Sequence, residues 1–174
     1  MGTSDVQLAV DKIAAKLEEL GIPYAICGGL AVTAQQKELR LRVGLPEQPV
    51  IVRGESESLR QVVDNLLGNA IRYTPAQGAI DVTVTVDGRQ AVLSVRDPGI
   101  GIEAAHLDRI FERFYRVDKA RSRELGGTGL GLAIVKHVAL AHGGTVAVSS
   151  RPGAGSSFSV CIPLDLSAKN GDES

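Results

Sequence analysis

The sequence predicts an α+β fold, a two-layer sandwich in which a mostly antiparallel mixed sheet packs against three helices. Apolar residues recur at three- and four-residue spacing in long segments, and they alternate with polar residues in several short ones. An Asp87-Gly88 dipeptide between two alternating segments is a hairpin signal. Strands followed by helices and then strands again are typical of this fold class.

The N-terminal part of the chain contains one predicted helix and two predicted strands. Residues 5–20 have apolar side chains at the steps of an amphipathic helix. Residues 24–34 are apolar and contain a glycine pair, and periodicity leaves a short strand and a buried helix equally open there. Residues 38–43 alternate as a strand does, and residues 50–54 form a second short strand after a turn.

The clearest helix pattern covers residues 56–73, along which one apolar stripe runs. We expect Ser56 to cap its first turn and Thr74, which precedes a proline, to end it. Two alternating strands follow over residues 79–88 and 89–97 and form the predicted hairpin.

The C-terminal half predicts two more helices and two closing strands. Residues 103–116 read as an amphipathic helix, and residues 117–128 as a mobile polar loop. A helix over residues 129–141 ends at a glycine pair, and strands over 145–150 and 156–164 close the domain. The apolar positions of the first of these helices are Leu107, Ile110, Phe111 and Phe114.

Composition excludes several classes of protein. The 19 basic and 20 acidic residues give a net charge of −1, which argues against nucleic acid or an anionic membrane surface as the main partner. No apolar run approaches the roughly 20 residues of a membrane span, and the N-terminus lacks the pattern of a signal peptide. Cys27 and Cys161 form no disulfide framework, so we expect reduced thiols and a cytoplasmic location.

Two asparagines form the first candidate site. Asn65 and Asn69 are four residues apart, so they share one helix face, and Arg72 and Tyr73 fall close to the same stripe. Asparagine is a poor helix former, and a solvated surface is the simple explanation for a single one. For the pair, a solvated surface and amide oxygens that hold a hydrated cation, with Arg72 directed at phosphate, are equally open.

The second candidate site is the segment DPGIGI, which directly follows a predicted strand. Asp97 would face a cleft, and its carboxylate could accept a hydrogen bond from an exocyclic amine such as that of adenine. Gly99 and Gly101 would let a ligand approach the backbone closely. Taken alone, the segment favours an ordinary turn between a strand and a helix.

A glycine-rich loop and an aromatic segment are the remaining candidates. The segment GGTGLGL, residues 126–132, runs into a helix, where free backbone amides can bind an anion, although a flexible structural loop would look similar. The segment FERFYR, residues 111–116, precedes the loop and could anchor a lid, with Arg116 available to a terminal phosphate. Aromatic residues at this spacing are otherwise usually core residues.

In order and spacing, NLLGNAIRYTP, DPGIGI, FERFYR and GGTGLGLAIVKHVALAHGG resemble the N, G1, F and G2 boxes of sensor histidine kinases. The domain resembled is their catalytic ATP-binding domain, of the superfamily shared with DNA gyrase. The resemblance extends from about Lys37 to Leu164. It implies a domain over residues 37–165, with an atypical segment over 1–36 and a polar tail over 166–174.

The resemblance implies ATP and Mg²⁺ as cofactors. Asn69 would bind Mg²⁺, with Asn65 supporting the cation or the phosphates, and Arg72 would contact the phosphates. Tyr73 would cover the adenine and Arg116 would stabilise charge on the transferring γ-phosphoryl group. The adenine pocket would include Asp97, Gly99, Gly101, Ile102 and, through an indirect contact, Ser157. The triphosphate would be lined by Gly127, Thr128, Gly129, Leu130 and Gly131.

One position distinguishes phosphoryl transfer from hydrolysis within this superfamily. Hydrolysing relatives have a general-base glutamate four residues before the metal-binding asparagine, and here that position is Asn65, which cannot usefully accept a proton. Asp64 is adjacent, but we expect it to point about 100° away around the helix. The chemistry predicted is therefore transfer to an incoming nucleophile.

The partners implied are a helical hairpin that carries the phosphoacceptor histidine and a response regulator downstream. His106, His137 and His142 lack the sequence context of that histidine. We therefore expect a monomeric catalytic domain of a larger kinase, which is itself either free or membrane-anchored. The alternatives are a nucleotide-binding switch module of the same superfamily without phosphotransfer, and an ATP hydrolase.

Overall fold

The structure, a computed structural model, describes residue 34 and residues 36–118 and 128–166. The predicted helix over residues 5–20 and nearly all of the apolar segment over 24–34 lie outside the described residues. So do most of the predicted loop over 117–128 and the end of the polar tail. Within the described ranges, no helix is long and apolar enough to cross a membrane.

Five strands and three helices form the described part of the chain. Their order and bounds are β1 (Arg40–Gly44), α1 (Ser56–Tyr73), β2 (Ala79–Asp87), β3 (Gln90–Asp97), α2 (Ala104–Leu107), α3 (Gly131–Ala141), β4 (Thr145–Arg151) and β5 (Gly155–Pro163).

The strands form one mixed sheet in the order β1-β2-β3-β5-β4. The β1–β2 pair is parallel, with Arg40 opposite Ala79, and the other three pairs are antiparallel. Asp87 lies opposite Gln90, which confirms the predicted hairpin. The mostly antiparallel mixed sheet and its helical layer confirm the predicted α+β fold.

The core lies between the sheet and the pair of helices α1 and α3, which pack against each other. Phe158 is the one aromatic side chain buried among the described residues, as the low aromatic content predicts. The buried residues of α1 include Val62, Val63, Leu66, Leu67, Ala70 and Ile71. These positions recur every three to four residues, so one stripe of the helix faces the sheet.

The ends of α1 differ in how well the sequence predicts them. Thr74 ends the helix as expected, and its amide donates to the Ala70 carbonyl at 2.9 Å. The prediction that Ser56 caps the first turn is wrong, because Ser56 is already helical and Glu55 occupies the capping position. The backbone amide of Glu55 instead donates to Nε2 of His142, at 3.3 Å.

The predicted strand over residues 50–54 is wrong in extent. This segment makes one isolated bridge, between Val52 and Leu164, and does not join the sheet as a strand. The segment lies instead beside the residues that follow β5, where the Asp165 amide donates to the Ile51 carbonyl at 2.8 Å.

The predicted helix over residues 103–116 is also wrong in extent, because the described helix α2 ends at Leu107. The chain then continues through successive tight turns, and Phe114 adopts a positive φ of 63°. Its amide donates to the Gly129 carbonyl at 2.8 Å, which ties this segment to the start of α3. The turns bury Ile110 but leave Phe114 69% exposed.

We expect Gly155→Ala to reduce the free energy of unfolding by at least about 3 kcal/mol. Gly155 has a φ of +83°, and a β-carbon there would lie 1.9 Å from the carbonyl oxygen of Asp97. Neither a rotamer change nor solvent can relieve a clash with backbone. Equilibrium unfolding in urea measures the effect.

Gly153→Ala is the matched control in the same β4–β5 turn. Gly153 has a similar φ of +74°, but a β-carbon there would meet nothing within 4 Å. It should cost only about 1 kcal/mol, from the left-handed backbone conformation alone. Equal losses for the two variants would contradict the steric argument.

Candidate functional site

A cavity of about 470 Å³ lies between the C-terminal half of α1, the loop after β3 and the beginning of α3. Residues from segments far apart in the sequence meet around it, as is usual for a ligand site. The sequence-predicted residues that line it are Asn65, Asn69, Arg72, Tyr73, Asp97, Gly101, Ile102, Arg116, Thr128, Gly129 and Gly131.

Four predicted site residues are not placed in that lining. Gly127 lies outside the described residues, and Leu130 occupies the position just before α3 begins. Gly99 stands behind the lining, where its amide donates to Oδ1 of Asp97 at 2.8 Å. Ser157 lies on the opposite face of the sheet, because side chains alternate along β5 and Ser156 faces the cavity.

The asparagine pair lies on the cavity side of α1, and both side chains are half-buried. The Asn65 amide nitrogen donates to the Gln61 carbonyl at 2.8 Å, which fixes the orientation of its side chain. Oδ1 of Asn69 accepts a hydrogen bond from Nη1 of Arg72 at 3.2 Å. Two amide groups and one guanidinium group therefore form a single polar wall.

Gly131, the first residue of α3, packs directly against this wall. A β-carbon at Gly131 would lie 2.7 Å from Oδ1 of Asn65. The absence of a side chain therefore allows the N-terminus of α3 to approach Asn65 closely. The positive end of the helix dipole lies at that N-terminus, which favours an anion in the adjacent part of the cavity.

Asp97 lies at the end of β3 and is only 6% exposed. Burial raises the pKa of its carboxyl group, and hydrogen bonds from the backbone of Gly99 and Ser156 oppose that effect. A buried carboxylate at a cavity wall is a strong hydrogen-bond acceptor for a ligand donor.

Arg116 contributes a positive charge to the opposite part of the lining. Its Nε and Nη2 atoms are buried and have no hydrogen-bond partner among the described residues. A buried guanidinium group without acceptors is unfavourable, and an anionic ligand would satisfy it.

Several lining residues were not predicted. Tyr115 is held by a 2.6 Å hydrogen bond to Nδ1 of His106 and by the Arg109 guanidinium, 4.4 Å from the ring centre. It belongs to the FERFYR segment, so the motif itself was a signal. That Ser156 faces the cavity follows from the register of β5 against β3, and this register cannot be predicted from the sequence alone.

Asp64 is part of the cavity lining, although helix geometry offsets it by about 100° from Asn65 around α1. Burial raises the pKa of its carboxyl group, while the nearby charge of Arg60 opposes the shift and that of Glu57 adds to it. The cavity therefore extends far enough around α1 to include both Asn65 and the residue before it.

The side-chain oxygens of Asn65 and Asn69 suit a magnesium site, in which few ligands come from the protein, better than a metal site built entirely from protein ligands. Among the described residues, no group of three or more His, Cys, Asp or Glu side chains could hold a metal. Mg²⁺ usually takes one or two protein oxygen ligands and completes its shell with water and substrate phosphates. Amide oxygens of Asn65 and Asn69 meet that requirement.

Comparison with known proteins places this geometry in a family. Residues 54–166 match the family described as histidine kinase-, DNA gyrase B-, and HSP90-like ATPase. The chain is 42% identical over 142 residues to the sensor-like histidine kinase SenX3 of Mycobacterium tuberculosis. That match covers 82% of this chain but only 34% of SenX3, so the chain spans about a third of this curated relative.

Two solved structures share the fold. The mycobacterial sensor histidine kinase MprB matches with a TM-score of 0.65 and 30% identity, over 92% of this chain and 95% of that chain. Full-length ShkA in complex with AMPPNP matches with a TM-score of 0.66 and 27% identity, over 94% of this chain and 31% of that chain. The chain belongs to the histidine kinase-, DNA gyrase B- and HSP90-like ATPase family, as a catalytic domain of the sensor histidine kinase type.

Proposed function

We propose that this domain binds Mg-ATP in the cavity and transfers the γ-phosphoryl group to a histidine on a separate helical hairpin. A response regulator would then receive the phosphoryl group. The observation that carries the proposal is the polarity of the cavity, which is lined by a buried carboxylate, Asp97, and by Arg116, whose buried Nε and Nη2 atoms have no acceptor among the described residues. An adenine nucleotide has the complementary arrangement of an amine and a chain of phosphates.

The adenine would lie against the Asp97 wall. The carboxylate would accept a hydrogen bond from the exocyclic amine. Gly101 lets the loop after β3 pack against the β4–β5 turn, since a β-carbon there would lie 1.9 Å from the Arg151 carbonyl oxygen. Ile102 and Tyr73 offer apolar surface to the ring faces. The indirect contact with the base, which the resemblance implies for Ser157, is here proposed for Ser156, because Ser156 lines the cavity and Ser157 does not.

The triphosphate would lie along α1 and the N-terminus of α3. Asn69 would coordinate Mg²⁺ with support from Asn65, and Arg72 would contact phosphate oxygens. The bound cation would neutralise phosphate charge. The loop that contains Thr128 and Gly129 would supply backbone amides to the same phosphates.

Transfer, rather than hydrolysis, fits the side chains near the phosphates. In transfer, the bond from the γ-phosphorus to its bridging oxygen breaks, a bond to the acceptor histidine nitrogen forms, and ADP leaves. Hydrolysis instead needs a base for water. Asn65 cannot serve as one, and Asp64, its neighbour in sequence, also lines the cavity and is the candidate base for any slow hydrolysis.

The acceptor histidine is proposed to lie outside this domain. His106 is engaged with Tyr115, and His142 accepts a hydrogen bond from Glu55 while its other ring nitrogen contacts the Val138 carbonyl. His137 is exposed on α3, away from the cavity lining. A domain of this type would act in the cytoplasm, where ATP and response regulators are found, as a monomer docked on its hairpin.

To test this function, the purified chain is incubated with γ-labelled ATP and a hairpin fragment of a sensor kinase that carries the acceptor histidine. The hairpin is either fused to the chain or added as a separate protein. Label is expected on the hairpin histidine and should be sensitive to acid. Nucleotide binding without transfer would favour a switch module, and rapid phosphate release by the domain alone would favour an ATP hydrolase. Either outcome would overturn the proposal.

We expect Arg116→Met to slow phosphoryl transfer by about 100-fold, because it removes a buried positive charge from the developing charge on the γ-phosphoryl group. ATP affinity should also fall, because the guanidinium contacts phosphate in the ground state, but by less than the rate. Arg113→Met is the matched control, since Arg113 lies in the same FERFYR segment but is exposed. Similar losses in the two variants would contradict the assigned role of Arg116.

A further inference from the structure

We infer that Lys37 is a positioning residue for the nucleotide site, because it holds the end of α1 that carries Arg72 and Tyr73. The inference rests on the proposed nucleotide binding and adds to it a residue that lies before the family-matched range, residues 54–166.

The Lys37 ammonium group caps the C-terminus of α1. Its Nζ donates to three backbone carbonyl oxygens, those of Ile71 at 2.9 Å, Arg72 at 2.8 Å and Thr74 at 3.0 Å. The last carbonyls of a helix lack partners within the helix, and they lie at the negative end of its dipole. A group with three donors and a positive charge satisfies both requirements.

The backbone around Lys37 is itself fixed. The Lys37 carbonyl accepts a hydrogen bond from the Gln77 amide at 2.8 Å, and the Arg40 amide donates to the Gly78 carbonyl at 2.9 Å. Leu39 is buried in the core with 2% exposure. The ammonium group therefore reaches the helix from a rigid support, so it can hold the last turn in one place.

The last turn of α1, which Lys37 caps, lines the cavity and also packs against the loop after β3. Arg72 and Tyr73 line the cavity directly. A β-carbon at Gly99 would lie only 2.8 Å from the Tyr73 carbonyl oxygen. The last turn of α1 therefore packs closely against the loop after β3. That loop holds Asp97 through the Gly99 amide. A displaced turn would therefore move the carboxylate that is proposed to recognise adenine.

The position of Lys37 has an electrostatic cost. Partial burial lowers the pKa of Lys37, and the charge of Arg72 lowers it further. Two like charges are thus kept near each other beside three carbonyl groups. The three hydrogen bonds from the ammonium group to backbone carbonyls offset this cost.

The test compares ATP and GTP affinities of the full chain, measured by titration calorimetry well below the unfolding midpoint of each variant. Lys37→Met should raise the Kd for ATP by about tenfold and reduce the preference for ATP over GTP. The nucleotide preference is the decisive readout, because a loss of positive charge or of overall stability would affect both nucleotides alike.

Two matched controls isolate the positioning role. Arg40→Met removes a positive charge from the exposed edge of the same region, and His142→Ala removes the contacts at the opposite end of α1. Both should leave the ATP preference unchanged. If Lys37→Met does not fold by circular dichroism, Lys37→Gln is measured in its place, with the same direction of change expected, because a neutral amide with two donors cannot satisfy all three carbonyls.

An unchanged ATP preference in a folded Lys37 variant, with the Kd for ATP within about twofold of the unsubstituted chain, would overturn the inference. Failure of the unsubstituted chain to bind ATP would instead overturn the proposed function. The two failures are therefore distinguishable in one series of titrations.

Discussion

Asn69→Ala is expected to lower the affinity for Mg-ATP by about 100-fold or more, because it removes the proposed protein ligand of the cation. The effect should depend on the cation. With excess EDTA, the variant and the unsubstituted chain should bind ATP with similar weak affinities, since Asn69 then has no cation to coordinate. Calorimetric titration with and without Mg²⁺ measures both values.

The fold should tolerate Asn69→Ala. The side chain is only half-buried, it makes one hydrogen bond to Arg72, and alanine is the better helix former. Gln61→Ala is the matched control, because it makes the same kind of change at an exposed position of α1 outside the cavity lining. An affinity deficit of the same size in EDTA would refute metal coordination by Asn69.

Asp97→Asn is expected to weaken ATP binding by between about 10- and 100-fold, which corresponds to the loss of one hydrogen bond to a charged acceptor. The asparagine amide would direct either a donor or a weaker acceptor at the adenine amine. GTP, which presents a carbonyl group at that position, should lose less. Competition of ATP and GTP for a fluorescent nucleotide measures the change in preference.

The same substitution should change how stability depends on pH in the absence of nucleotide. Burial raises the pKa of Asp97, so the folded chain takes up a proton at a pH where the unfolded chain has already lost it. The free energy of unfolding therefore falls as pH rises from the ordinary carboxyl pKa through the raised value. Asp97→Asn should flatten that part of the profile.

Asp87→Asn is the control for both measurements, because Asp87 is exposed at the far end of β2 and the substitution preserves a favourable hairpin dipeptide. It should change neither the nucleotide preference nor the pH profile. Unaltered discrimination between ATP and GTP in Asp97→Asn would remove the carboxylate from adenine recognition.

Elements with a strong local pattern were predicted well. The bounds of α1 agree with the predicted 56–73, because a continuous apolar stripe and a proline stop signal act within the segment itself. The hairpin of β2 and β3 was also predicted, since the Asp87-Gly88 turn and the alternation of its strands agree. Gly88 has the positive φ that such a turn requires.

Elements whose extent depends on distant partners were predicted poorly. The segment over 103–116 has helical spacing, yet its helix ends at Leu107. Tight turns follow, and the Phe114 amide forms a hydrogen bond with the distant Gly129 carbonyl. Residues 50–54 have strand composition, but within the described part of the chain they pair only with the residues just after the end of β5, through the Val52–Leu164 bridge. Local propensity cannot anticipate these outcomes, because tertiary contacts outweigh its small energies.

The candidate site divides in the same way. Residue types and their order along the chain were enough to predict the α+β class, the family and most of the cavity-lining residues, because a nucleotide imposes its own chemistry on the sequence. Which of Ser156 and Ser157 faces the cavity depends on the phase of β5 against β3. The placement of Asp64 in the lining and of Lys37 on the end of α1 depends on how separate elements pack. Such contacts join residues more than thirty positions apart, and no local pattern encodes them.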